Sequence, residues 1–242
     1  MGSQRRAVRD AEETLSLSDA MRHLSLSPKT IQRIADEIDV VRVDGRWRVR
    51  VSDLEEWIVR HRSVEQMPAE PVGYPGCEMS LHPYLDVQNV FLDAPQTEAV
   101  PLIRAAFSRA RIVLAGGPAS AGAETATERI GRSVLERETL SSTAFHPEVA
   151  YPHPEETGRR LLGANQILVI RAVGPVDFHD AYGHRPRIVF ILLTQTISVQ
   201  LLWEARLSYL VHKEELVRRV LEARSAEDVR RVFSGPPDES RG

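Results

Sequence analysis

Apolar and polar positions in the first quarter of the chain follow a helical period twice, then alternate, then return to a helical period. In "SLSDAMRHLSLS" Ser18 is placed to cap a helix whose Ala20, Met21 and Leu24 share a face. In "SLSPKTIQRIADEI" Ser27 caps a second helix, with Pro28 at its first position. "VVRVDGRWRVR" alternates on both sides of Asp44-Gly45, a dipeptide that accepts the positive φ values of a two-residue hairpin turn. "SDLEEWIVRHR" is helical again, with Ser52 as cap, Glu55 three residues on, and Leu54, Trp57 and Ile58 along one face. The expected order is helix, turn, helix, two-stranded wing, helix.

Periodicity then disappears. "SVEQMPAEPVGYPGCEM", residues 63–79, is rich in proline and glycine and reads as a linker. From Leu81 to Phe233 strand and helix patterns interleave. "QNVFLDA" reads as a strand, and Asp93 with Pro95 introduces a helix expected to turn Val100, Ile103 and Phe107 inward. After a loop around Gly116 and Gly117, residues 124–138 are helical through Ile130, Val134 and Leu135. "QILVIRAV" and "PRIVFILLT" are near-continuous β-branched runs, the pattern of central strands covered on both faces. "SVQLLWEARLSYLV", "KEELVRRVLEA" and "SAEDVRRVF", the last capped by Ser225, close the chain with helices.

These patterns divide the chain into a tail (1–14), a small winged helix-turn-helix module (15–62), a linker (63–80), a larger α/β (α+β) domain (81–234) and a second tail (235–242). The larger domain is expected to be a mixed β-sheet flanked by helices. The most apolar run, Ile188 to Trp203, is too short to span a bilayer and is broken by polar residues. "MGSQRRAVRD" runs into acidic residues with no apolar segment behind it, unlike a secretory signal. Cys77 is the only cysteine, so no internal disulfide is possible, and a cytoplasmic protein without membrane partners is expected. With 31 basic against 34 acidic residues, the chain as a whole is no polycation. Nucleic-acid binding must therefore be local.

The amino-terminal module has the mechanics for it. Its second helix can enter a major groove, placing Lys29, Thr30, Gln32 and Arg33 where base edges are met. Arg42, Arg46, Arg48 and Arg50 crowd the wing, where phosphates are met, whereas Asp36, Glu37 and Asp39 would repel them. A small domain for protein contact or dimerisation is the alternative. "LSLSDAMRHLSLSPKTIQRIADE", the wing "VVRVDGRWRV" and "SDLEEWI" together resemble the excisionase-like helix-turn-helix family, which implies DNA as a partner.

In the larger domain one titratable ring stands out. "EVAYPHPEET" puts His153 between Pro152 and Pro154, both of which hold φ near −65° and bias the preceding residue toward extended backbone. The ring is expected to be presented at an exposed, shallow edge, either as loop punctuation or as a functional group. His146 and His153 lack the spacing of a metal site, no cofactor motif occurs, and "LAGGPASAG" lacks the Lys-Ser/Thr end of a phosphate-binding loop.

Taken together, "ERETLSSTAFHPEVAYPHP", "FLDAPQTEAVPLIRAAF", "PRIVFILLT" and the closing helices resemble the enzyme IIA domain of the mannitol, fructose and nitrogen-related branch of the bacterial phosphotransferase system. The resemblance implies that His153 accepts a phosphoryl group and that Arg137, sixteen positions earlier, lies near the phosphate. It also implies that Gln200 occupies the position of a second histidine. An amide there can donate a hydrogen bond but carries no charge. The histidine carrier protein of the system would be the donor, and an enzyme IIB or a regulatory target the partner beyond it. The tandem is expected to be a DNA-binding regulator sensing phosphotransferase state through His153. The alternatives are a working phosphocarrier enzyme IIA and a degenerate module that binds partners without turnover.

Overall fold

The computed structural model describes residues 14–16, 40–43, 46–50, 53, 80–116, 124–212 and 215–234. In the amino-terminal region three short strands, β1 (Thr14–Ser16), β2 (Val40–Val43) and β3 (Arg46–Arg50), form an antiparallel sheet in the order β1-β3-β2. Val43 pairs with Arg46, so β2 and β3 pair as the alternation predicts, while the expected turn residues Asp44 and Gly45 lie outside the described residues. Strand β1 is not legible in the sequence, because three residues are too few to establish a period. It is held by Arg48, whose Nε donates to Thr14 Oγ1 at 2.7 Å and whose Nη2 donates to the Thr14 carbonyl at 2.6 Å. The expected helices starting at Ser18, Ser27 and Ser52 lie outside the described residues apart from Asp53, as do Lys29, Thr30, Gln32, Arg33, the linker up to residue 79, the first tail up to residue 13 and the second tail.

The carboxy-terminal region is built on a four-stranded mixed sheet. After one 3-10 turn (His82–Tyr84), the elements are β4 (Leu85–Ala94), α1 (Ala99–Phe107), α2 (Ala126–Leu140), β5 (Val149–Ala150), α3 (Glu156–Arg159), β6 (Gln166–Ala172), β7 (Ile188–Leu193), α4 (Ile197–His212), α5 (Glu215–Glu222) and α6 (Ala226–Val232). The strand order is β4-β6-β7-β5, with β4 parallel to β6, β6 antiparallel to β7 and β5 parallel to β7.

The two near-continuous apolar runs are the two central strands, and every residue of β6 and β7 is buried. Because side chains alternate across a pleated strand, each run feeds two cores. Ile167, Val169, Ile188, Phe190 and Leu192 pack with Trp203 and Leu207 of α4 and with α5 and α6. Leu168, Ile170, Val189, Ile191 and Leu193 pack with Leu102, Ile103 and Phe107 of α1 and with Ile130 and Val134 of α2. One expected inward residue is corrected: Val100 is 40% exposed, and Ala99, Leu102 and Ala106 join Ile103 and Phe107 on the buried face instead. The helix is rotated from that expectation because Ala99 and Leu102 share the side of Ile103 and Ala106.

A buried charge breaks the apolar alternation of β6. Arg171 Nη1 donates to the carbonyls of Leu221, at 3.0 Å, and Ala223 at the end of α5, while Nη2 meets Asp93 Oδ1 at 2.7 Å. The carbonyls at a helix carboxy terminus lack intrahelical donors, and a guanidinium fork satisfies several at once. Arg171 thereby docks α5 on the sheet.

Candidate functional site around His153

The position of His153 follows from the strand before it. Leu192 N donates to the Pro152 carbonyl at 2.8 Å, so extended pairing with β7 continues past β5 although proline itself has no N–H to offer. Val149 and Tyr151 point into the core shared with α4. His153 is next in that alternation, and its ring meets α4. The expectation of an exposed ring is therefore corrected: His153 is 1% exposed. The prolines extend the backbone as predicted, but the extension runs along the sheet and under a helix, not out to solvent.

Its Nδ1 lies 3.0 Å from the Tyr151 carbonyl. A carbonyl can only accept, so Nδ1 carries the hydrogen and the ring's lone pair sits on Nε2. Glu204 Oε1 is 3.4 Å from the same Nδ1. Burial, then the positive charges of Arg137 and Arg159, hold the imidazole well below its usual basicity, against the opposing bond to the Tyr151 carbonyl. The ring is neutral at physiological pH.

Around it stands a buried polar chain. Arg159, at the end of α3 and 2% exposed, donates through Nη2 to Gln200 Oε1. Gln200 Nε2 donates to Glu204 Oε1 at 3.0 Å, one helical turn along α4. Both α4 residues are fully buried, in a helix whose neighbouring side chains Leu201, Trp203 and Leu207 are core. The chain thus runs from guanidinium through amide to carboxylate and ends at the imidazole.

Arg137 approaches from α2. It lies in the last turn of that helix, is 8% exposed, and its Nη1 donates to the Ser141 carbonyl at 3.0 Å. The adjacent Glu138 accepts from Thr143 N at 2.8 Å and Thr143 Oγ1 at 2.7 Å, which pins the turn leading into β5. The Arg-Glu pair at the helix end is thereby explained: one member faces the histidine and the other ties down the loop. Burial pushes the Glu138 carboxyl up.

Helix α3 is held close by a glycine. A Cβ on Gly158 would lie 2.8 Å from both Pro154 Cβ and Ser133 Cβ, and Ser133 Oγ accepts from Glu155 N at 3.0 Å. Only a residue without a side chain lets α3 rest on α2 and carry Arg159 inward.

Of the expected site residues, His153, Arg137 and Gln200 are brought to one place. Arg46 lies on β3 and Arg48 spends two donors on Thr14. Arg159 and Glu204 were not expected. Their signal is a charged residue inside an apolar context: Glu204 interrupts "LLWEARL" at four residues from Gln200, and Arg159 precedes "RLL". His146, His184 and His179 have local roles. His146 Nδ1 accepts from Glu148 N, His184 Nδ1 meets the Ala144 carbonyl and Asp180, and His179 is a loop residue with φ 53°.

Residues 119–235 match the family model described as phosphoenolpyruvate-dependent sugar phosphotransferase system, EIIA 2. This region is a domain of that family. Residues 14–62 match a helix-turn-helix domain, so the chain joins a helix-turn-helix domain to an EIIA 2 domain. Solved structures bear out the fold. The nitrogen regulatory protein IIA-Ntr from Neisseria meningitidis is 21% identical, covers 64% of this chain and 99% of its own, and superposes with a TM-score of 0.52. Enzyme IIA mannitol from Escherichia coli, solved in complex with phosphorylated enzyme IIB mannitol, is 16% identical, covers 63% of this chain and 98% of its own, with a TM-score of 0.50. No curated protein matches the sequence. No helix among the described residues is long and apolar enough to cross a membrane.

Proposed function

We propose that the chain is a DNA-binding regulator whose EIIA 2 domain accepts a phosphoryl group on His153 from a phosphorylated histidine carrier protein. The observation that carries the reading is the buried ring whose Nδ1 lies 3.0 Å from the Tyr151 carbonyl, near the charges of buried Arg137 and Arg159. In the transfer the Nε2 lone pair attacks phosphorus. The donor's N–P bond breaks and its electron pair returns to the donor imidazole. No proton has to move. The ring of phosphohistidine then carries positive charge, which the Tyr151 carbonyl and Glu204 face at Nδ1. Arg137 stabilises the phosphoryl oxygens, since transfer of this group relies on positioning and charge neutralisation more than on covalent help.

A ring that is 1% exposed is closed to a donor protein, so transfer requires the site to open. The added charge then alters how the domain meets its partners, or how the helix-turn-helix module meets DNA. In that module Lys29, Thr30, Gln32 and Arg33 are the base-reading candidates, and Arg46 and the remaining donor capacity of Arg48 the phosphate-facing ones.

Incubation with enzyme I, the histidine carrier protein and phosphoenolpyruvate tests this. Acid-labile phosphate is expected on the wild type and not on His153→Ala; none on the wild type ends the phosphoacceptor reading. The burial of His153 favours a second reading, a partner-binding module that is never phosphorylated. A phosphocarrier handing the group to an enzyme IIB is a third, separated from the first by whether the full chain retards DNA in a salt-dependent way.

A further inference from the structure

The orientation of each polar group beside His153 follows from its neighbour. A guanidinium can only donate, so the Gln200 atom that meets Arg159 Nη2 is the amide oxygen, Oε1. The amide nitrogen then faces the other way and donates to Glu204 Oε1 at 3.0 Å. That carboxylate oxygen is also 3.4 Å from His153 Nδ1, and the Tyr151 carbonyl lies 3.0 Å from the same nitrogen. Carbonyl and carboxylate oxygens accept, so two acceptors face one ring nitrogen. Arg159, Gln200, Glu204 and His153 are all buried, where a reversed donor is costly. Glu204 sits among Leu201, Trp203 and Leu207, a context in which packing alone calls for an apolar residue.

We propose that Glu204 is the positioning residue of His153: its carboxylate, aimed by Gln200, holds the ring hydrogen on Nδ1 and so keeps the lone pair on Nε2, the atom that attacks phosphorus. The inference rests on the phosphoacceptor reading above and adds to it the residue that selects the attacking nitrogen. With weaker acceptors at Nδ1 the two tautomers compete, and the one with its hydrogen on Nε2 cannot attack through that atom. Glu204 does more than the Tyr151 carbonyl because it brings a charge. When Nε2 bonds to phosphorus with the hydrogen still on Nδ1, the ring becomes cationic and its contact with Glu204 becomes an ion pair. A carboxylate behind an imidazole fixes the tautomer and stabilises the imidazolium that forms in the same way. This interaction is stronger in the transition state than in the resting ring, so it speeds transfer. Gln200 serves indirectly, as the neutral amide that orients the carboxylate.

Two measurements on the full chain test this, one of the tautomer and one of transfer. Nitrogen-15 NMR of histidine-labelled protein, with the His153 signals assigned by their loss in His153→Ala, is expected to show a hydrogen-bearing Nδ1 and a bare Nε2 in the wild type. Glu204→Leu is expected to give a mixture of tautomers, a signature that a merely structural role would not produce. Glu204→Gln keeps an oxygen acceptor but loses the charge. Its labelling of His153 by the phosphorylated histidine carrier protein is expected to slow roughly 10- to 100-fold, the worth of one hydrogen bond to a charged group. Glu227→Gln, which alters an exposed carboxylate on α6, is expected to match the wild type. Should Glu204→Leu fail to fold, the wild-type spectrum and the isosteric Glu204→Gln decide. A hydrogen on Nε2 in the wild type overturns the inference whether or not the ring is phosphorylated. Labelling of Glu204→Gln at the wild-type rate also overturns it while leaving His153 as acceptor. An unlabelled wild type overturns the acceptor reading, and this inference with it.

Discussion

Arg159, four residues into the helix that follows the histidine loop, hydrogen-bonds Gln200 on α4, and both side chains are buried. The contact ties the short helix α3 to α4. It also changes the meaning of the glutamine. An amide at this position looks like a lost charge in the sequence, but in the folded protein it holds a guanidinium on one side and a carboxylate on the other.

That arrangement predicts the behaviour of Gln200→His. A histidine cannot accept from Arg159 and donate to Glu204 through the same atoms and spacing, so phosphorylation is expected to stay equal or fall. A marked increase, measured as the rate of acid-labile labelling, would instead favour a domain disabled by the glutamine. Gln200→Ala removes one partner from each of two buried charges and is expected to cost about 1.5–3 kcal/mol in denaturant-monitored stability.

His153 gives the stability of the domain a pH signature. Its folded pKa is depressed below the ordinary 6.5, whereas the unfolded chain protonates near that value. The stabilisation is therefore complete above pH 6.5 and is lost as pH falls toward the folded pKa. In this window the wild type should lose up to about 1.4 kcal/mol per pH unit more than His153→Gln, which has no proton to bind. Parallel stability curves for the two proteins would refute the depressed pKa.

Gly158→Ala is expected to disturb the site from outside. Its Cβ would overlap Pro154 and Ser133 at 2.8 Å, so α3 must lift from α2. Overpacking of this kind costs about 1–3 kcal/mol. Faster proteolytic or exchange-detected opening of residues 154–163 is the expected observation, with the far core strands β6 and β7 unchanged.

Arg171→Leu tests the docking of α5. The substitution leaves the carbonyls of Leu221 and Ala223 without the guanidinium that serves them. A loss of about 3 kcal/mol or more, read from chemical denaturation, is expected for removing a buried charged hydrogen-bonding hub.

The fold of the larger domain was legible where burial is strongest. "QILVIRAV" and "PRIVFILLT" announce themselves as central strands because both faces of each are core, and Ser225 announces its helix because its capping box with Asp228 is local. The pairing of β2 with β3 is legible from the alternation of "VVRVDGRWRVR". Val100 was misplaced because α1 carries small alanines on its buried face, which weaken its period. In the site, Arg137 and His153 are linked by a short sequence interval, whereas Arg159 and Glu204 meet His153 only through packing of α3 and α4. The burial of His153 was hidden too: the prolines report an extended backbone but not what lies over it.

DNA binding by the amino-terminal module has its own prediction. The full chain should retard duplex DNA with an affinity that falls steeply as salt rises, and Arg33→Ala should weaken it. Salt-independent behaviour would point to a protein-contact module.

On the proposed function His153, although closed off, receives a phosphoryl group. Its most direct test is site-resolved mass spectrometry of the full chain after incubation with the phosphorylated histidine carrier protein. A single acid-labile phosphoryl group is expected on the peptide containing His153, and none on His153→Ala. An unmodified His153 peptide, with the carrier still fully phosphorylated, would contradict it.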